Sequence, residues 1–276
     1  VEWVTSMALF SRIFGYLDLP LDLPAPENPA TIDLAATRGE VRLEDVTVRY
    51  PGADVDALHD IDLTLAPGET VAVVGETGSG KSTLGSLLAR LRDPDEGRVT
   101  IDGVDLRGIA PEDLACLVGV VSQETYLVHA TIRENLTLAA PEATDDEMWA
   151  ALRTAQVAHV IEALPDGLGS MVGARGYRFS GGEKQRLAVA RTLLRDPRVL
   201  VLDEATSALD NTTERELQHA LDELVRGRTT LTIAHRLSTI AAADRVAVLS
   251  RGQIVELGPP AELMESGGYF ARLARA

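Results

Sequence analysis

Lys81 and Ser82 follow three glycines in the run Gly75-Glu76-Thr77-Gly78-Ser79-Gly80-Lys81-Ser82-Thr83. Glycines let a backbone turn tightly with its N–H groups pointing inward, and a helix starting at this point adds its positive end to the same space. The chemistry that follows is the capture of anionic oxygens. Lys81 brings a mobile positive charge to the outer phosphates of a nucleotide, and the Ser82 hydroxyl a ligand for Mg²⁺.

Two adjacent carboxylates, Asp203 and Glu204, stand at the end of an apolar run in RVLVLDEATSALD, Asp203 being 122 positions after Lys81. Asp203 suits Mg²⁺ held through its water shell, because this ion takes few carboxylates and keeps several waters. Glu204, one step on, is placed to orient or deprotonate the water that attacks a γ-phosphate. A second glycine turn occurs in FSGGEKQRLAVARTLL, at Phe179-Ser180-Gly181-Gly182-Glu183. Ser180 can cap the helix that follows, Leu187, Ala190 and Leu194 form its buried side, and its N-terminus is another place for an anion. Taken alone, that turn is no more than a helix cap.

The elements that must position these residues are legible in the periodicity. Val71, Val73 and Val74 precede the first glycine loop, and Leu84, Leu87, Leu88 and Leu91 follow it, the order of a buried strand, a loop and a helix. TVAVVG, LVGVVSQ, RVLVLDE and RTTLTIAH are near-continuous apolar runs of the kind that helices cover on both faces of a parallel sheet. The last three end in a polar residue where open α/β sheets hold ligands: Gln123, Asp203 with Glu204, and His235. VRLEDVTVRY, DIDLTLAPGE and GRVTIDG alternate instead and predict a small antiparallel sheet beside the parallel one. Between Gln123 and Ser180 strand signals give way to helices, one of them opened by a capping box from Thr144 to Glu147. The last stretch predicts a hairpin turning at Arg251-Gly252, then helix.

Composition bounds the class. The 276 residues are 45% hydrophobic and 25% charged, as in ordinary globular proteins, and can bury a substantial core. The 26 basic residues against 42 acidic ones give a net charge of −16, which repels nucleic acid and anionic lipid at long range and argues against DNA or RNA as a partner. One cysteine, Cys116, forms no internal disulfide and fits a reducing compartment. No run reaches the ~20 apolar residues of a membrane-spanning helix. The chain begins at Val1 without methionine, and Trp3, Met7, Phe10, Phe14 and Leu17 form a heptad-like stripe ahead of the proline-rich stretch LDLPLDLPAPENPAT. The favoured reading is a helix that packs against a part of a longer protein, the alternative being a helix that packs on this same domain.

GETGSGKS, VVSQET, FSGGEKQR, VLVLDEATSALD and TIAHRLS, in this order, resemble the nucleotide-binding domain of ATP-binding cassette (ABC) transporters, over residues 41–273. The resemblance implies an α/β fold with a P-loop NTPase core on a mostly parallel sheet, an antiparallel β subdomain and a helical insert at about 124–180. Residues 1–36 would be an extension of a transmembrane domain plus linker, and 37–276 the nucleotide-binding domain. It also implies ATP and Mg²⁺ as ligands. Its dimer runs head to tail, ATP on residues 75–83 of one subunit being closed over by residues 179–183 of the other. By the same resemblance Tyr50 stacks on adenine, Gln123 touches Mg²⁺ and senses the membrane partner, Asp210 lies in the loop between the two sites, and His235 contacts the γ-phosphate. Ser82, Gln123 and Asp203 would hold the metal, with Glu204, His235, Gln123 and Lys81 catalytic.

TIRENL, GGYFARL and SMALFSRIFGYLD are most similar to the exporter branch, which works at the cytoplasmic face of a membrane. Two positions depart from the pattern. Glu183 stands where glutamine is usual, with little loss expected, and Ala174 replaces a glutamate typical of exporters, which bears on the grip on the membrane partner. Two rival functions are an ABC ATPase of DNA repair or translation and a regulatory cassette that binds ATP without turnover. The first conflicts with the acidic balance and lacks the long coiled coil or second cassette of such proteins. The second requires loss of Glu204 or of the signature, and both are intact. Substrate, and homodimer versus heterodimer, are not legible.

Overall fold

Alternating apolar residues from Val41 onward pair into a sheet, and the runs of unbroken valine and leucine into another. The computed structural model describes residues 2–18, 23–122, 125–173, 176, 179–203, 211–234 and 236–274, with backbone only at 2–6, 8 and 211. Gln123, Ala174, Glu204, Asp210 and His235 therefore lie outside the described residues.

The stripe-bearing helix α1 (Glu2–Leu17) comes first. Met7, Phe10, Phe14 and Leu17 on it are 56–72% exposed, so these side chains do not pack on the domain itself. The proline-rich stretch behind it is tied down from residue 24 on: Arg90 donates to the Pro24 carbonyl at 3.1 Å and the Ala30 amide to the Gly108 carbonyl at 2.8 Å.

The antiparallel sheet has the order β2-β1-β4-β5, from β1 (Val41–Val48), β2 (Leu58–Leu65), β4 (Glu96–Ile101) and the short β5 (Val104–Asp105). Its inward residues, among them Leu43, Ile61, Leu63 and Val99, are buried in one core with Leu84, Leu87 and Leu88 of α2 (Lys81–Leu88) and with α3 (Pro111–Leu117). α2 lies against the parallel strands on its other side.

Among the described residues the second sheet has the order β10-β9-β3-β8-β7-β6. β3 (Thr70–Gly75), β6 (Val118–Val121), β7 (Val199–Asp203) and β8 (Thr229–Ile233) are parallel, as the apolar runs predict. The sequence places β9 (Arg245–Ser250) and β10 (Gln253–Gly258) in a terminal hairpin; the structure inserts β9 parallel to β3, so β3 is flanked on both sides. β3 is consequently buried along its length, with Val71, Ala72 and Val73 at 0% exposure.

The helical region holds α4 (Ile132–Thr137), α5 (Asp145–Thr154) and α6 (Ala158–Glu162), and the capping box from Thr144 to Glu147 is formed at the start of α5. A second box, Thr131 with Glu134, opens α4. These helices share a core with α7 (Gly181–Arg195), α8 (Asn211–Val225) and the back of β7. The short helices α9 (Leu237–Ala241), α10 (Pro260–Glu265) and α11 (Tyr269–Leu273) close the chain, α9 and α11 packing on β3 and β9 through Ile240 and Phe270.

Candidate nucleotide-binding site

The phosphate loop runs from the end of β3 to the start of α2, and two of its glycines are dictated by what packs against them. A Cβ on Gly75 would collide with the Leu249 carbonyl of β9. Gly80 has φ 107°, in the left-handed region, and a Cβ there would lie 2.6 Å from the Ala57 carbonyl oxygen. Glu76, Thr77 and Gly78 are exposed at the mouth, while Ser79, Lys81 and Thr83 are buried.

Lys81 folds back over its own loop. Its ammonium donates to the Gly75 carbonyl at 2.8 Å and to the Glu76 carbonyl at 2.9 Å, which leaves one of its three N–H donors for a ligand. Burial pushes the ammonium below its ordinary value, and the Asp203 carboxylate partly offsets this. The carboxylate at the tip of β7 is thus close enough to act on the ammonium at the start of α2. The Ser79 hydroxyl is buried, at 4% exposure, with no hydrogen-bond partner among the described residues. An orphaned hydroxyl beside a partly desolvated ammonium is a cradle that an anionic oxygen satisfies. Ser82 is exposed and Asp203 half-buried, an oxygen-only donor set suited to Mg²⁺ with part of its water shell.

Tyr50 lies two residues beyond β1 and is 43% exposed. Its hydroxyl meets the Thr83 hydroxyl at 3.1 Å, which brings the aromatic ring to the phosphate loop.

At the second glycine turn Ser180 is the N-cap of α7. Its hydroxyl accepts from the Glu183 amide at 3.3 Å, and the Glu183 carboxylate accepts from the Ser180 amide at 2.7 Å. The departure to glutamate is therefore structurally employed: Glu183 completes a capping box. A hydroxyl that accepts from the backbone still has a proton of its own to donate. Ser180 and Gly181 are exposed, Phe179 and Gly182 are buried, and no hydrogen bond among the described residues joins this turn to the phosphate loop of the same chain.

Sequence reasoning missed a wall of the site. The Gly252 amide in the β9–β10 turn donates to the Ser79 carbonyl at 3.1 Å. Only the glycine in that turn hinted at it, and a hairpin glycine has reason enough to be there without a ligand.

The ABC transporter family model matches residues 58–207, more than half of the chain, and the chain belongs to that family. It is 45% identical over 97% of its length to the ATP-dependent lipid A-core flippase of Chromobacterium violaceum, of which it covers 45%. To the beta-(1→2)glucan export ATP-binding/permease protein NdvA of Bradyrhizobium diazoefficiens it is 48% identical over 91% of its length, covering 41% of that protein. Among solved structures, a bacterial Atm1-family ABC exporter with ATP bound superposes with a TM-score of 0.88 at 37% identity, over 98% of this chain and 47% of that one. The chain spans less than half the length of these relatives. Its fold is that of an ABC ATPase of the exporter type, with a P-loop core, an antiparallel sheet and a helical region. Among the described residues no helix is long and apolar enough to cross a membrane.

Proposed function

We propose that this chain is the motor of an ABC exporter, hydrolysing ATP at the cytoplasmic face of a membrane to drive cargo through a transmembrane domain. The observation that carries the reading is Lys81, bonded across its own loop to the Gly75 and Glu76 carbonyls with Asp203 opposite. Residues 75–83 receive the triphosphate, whose charge restores the ammonium that burial disfavours. Ser82, Asp203 and Gln123 would hold Mg²⁺, which when bound offsets charge on the outer phosphates. Glu204 orients the attacking water, His235 contacts the γ-phosphate, and Tyr50 supports adenine by stacking.

Residues 179–183 serve a different nucleotide from the one on the same chain's loop. Ser180 and Gly181 are exposed, with a hydroxyl proton on Ser180 to donate, which supports closure over ATP held by a second nucleotide-binding domain, identical or not. Asp210 lies between the two sites in that arrangement. The exposed stripe on α1 supports the reading that residues before the linker pack on the membrane domain. Relatives of nearly equal identity carry names for a lipid A-core flippase and a glucan exporter, so the cargo is chosen outside this domain.

The test is Mg-ATP turnover by the 276-residue chain over a range of protein concentrations. The specific rate should rise with concentration, because each site needs a second subunit, and Lys81→Ala should abolish it. A specific rate independent of concentration, with the chain monomeric throughout, would contradict the shared site.

A further inference from the structure

Arg92 stands beyond the end of α2, and nothing in its sequence neighbourhood marks it. Its guanidinium carbon lies 4.5 Å from the centroid of the Tyr50 ring. The head is pinned there, since a terminal nitrogen donates to the Arg49 carbonyl at 2.7 Å and lies 3.9 Å from the Asp95 carboxylate. Asp95 also accepts from the Arg49 amide at 2.7 Å, so one acid serves both the cation and the backbone that carries Tyr50. The phenol end of the ring is held separately, by Thr83. One face of Tyr50 therefore carries an anchored positive charge, and the ring nonetheless keeps 43% of the residue's surface open.

We propose that Arg92 is a base-positioning residue: it backs the Tyr50 ring on one face and so prepares the opposite face for the base of a purine nucleotide. The inference rests on reading Tyr50 as the stacking platform. The face of an aromatic ring is negative, and so is that of a purine, which makes direct face-to-face stacking imperfect. A guanidinium on the far side draws ring density toward itself and eases that repulsion, and it also stops the ring from turning away. Neither effect touches the triphosphate.

Calorimetric titration of the 276-residue chain with ATP, GTP and inorganic tripolyphosphate tests this. Arg92→Ala should weaken both nucleotides by about two- to fivefold, the exposed cation–π range, and leave tripolyphosphate affinity unchanged. Arg92→Lys, which keeps the charge, should recover part of the loss. Arg92→Gln, which keeps a donor for the Arg49 carbonyl but no charge, should not. Tyr50→Ala should weaken the nucleotides by about tenfold or more, as loss of a stacking surface does. Equal loss for tripolyphosphate in Arg92→Ala would overturn the proposal in favour of a structural role. So would an unchanged ATP affinity in Arg92→Ala beside a clear loss in Tyr50→Ala. An unchanged ATP affinity in Tyr50→Ala would overturn the platform reading itself, and the proposal with it.

Discussion

Gly252 donates its backbone amide to the carbonyl of Ser79 across 3.1 Å, so the β9–β10 turn forms the back of the phosphate loop. The two residues are far apart in sequence, and the contact exists because β9 is inserted beside β3. Gly252 has φ 81°, and a Cβ on it would lie 3.0 Å from the Ala57 carbonyl oxygen.

Gly252→Ala should therefore cost on the order of 1–2 kcal/mol of folding stability, the price of a left-handed conformation for an L-residue. ATP affinity should fall as well, because the Ser79 carbonyl loses a firm partner. Urea unfolding and calorimetric titration read the two effects, and an unchanged midpoint with unchanged affinity would refute the wall.

Mg-ATP should stabilise the parent by about 2.7 kcal/mol at a hundredfold its dissociation constant, and Lys81→Ala should remove most of that gain. Thermal melting with and without Mg-ATP measures it. No shift in the parent at millimolar Mg-ATP would defeat the assignment of this loop to nucleotide.

Lys81 also gives a pH dependence with a definite sign. Its folded value is lowered by burial, so between that value and the higher unfolded one the unfolded chain holds more protons, and the stability of the free protein rises with pH in that window. ATP binding does the reverse. A triphosphate favours the ammonium, so affinity should decline as alkaline pH passes through the folded value of Lys81. Lys81→Ala, which starts from weak binding, should lack that decline; titrations from pH 7 to 10 compare the two.

Glu204→Gln keeps the side chain's shape and removes its charge and most of its basicity. That variant should bind ATP without cleaving it and accumulate as an ATP-bound dimer, seen by light scattering. Adding Ser180→Arg should return it to monomer while ATP stays bound, at a cost of about 1 kcal/mol for the lost cap. A Glu204→Gln protein that binds ATP yet remains monomeric at every concentration would leave closure by residues 179–183 without support in this chain.

Deletions locate the domain's edge. Removing residues 1–22 should leave the unfolding midpoint unchanged. Removing 1–30 takes the Pro24 carbonyl from the buried Arg90 guanidinium and should cost about 1–3 kcal/mol, the penalty for an unpaired buried donor. ATP affinity should stay within a few fold in both. Equal midpoints for the two would show that the Arg90–Pro24 bond contributes nothing.

What the sequence determined by itself is what short-range physics controls. The glycine spacing from Gly75 to Gly80 announced the phosphate loop, and the capping box at Thr144–Glu147 and the cap at Ser180 lay open because a helix cap spans only three residues, while the partner role of Glu183 in a box came from the structure. Thr131–Glu134 offered the same signal and went unread. Strand type followed from whether one face or both are buried. Only the tertiary structure decided that β9 lies beside β3, that Leu249 and Ala57 forbid side chains at Gly75 and Gly80, that Gly252 supports Ser79, and that Tyr50 sits between Thr83 and Arg92. Each of these joins residues that are remote along the chain. Such contacts leave no period in the sequence, because they are selected by how whole elements pack and not by the dihedral angles or side-chain alternation of any one of them.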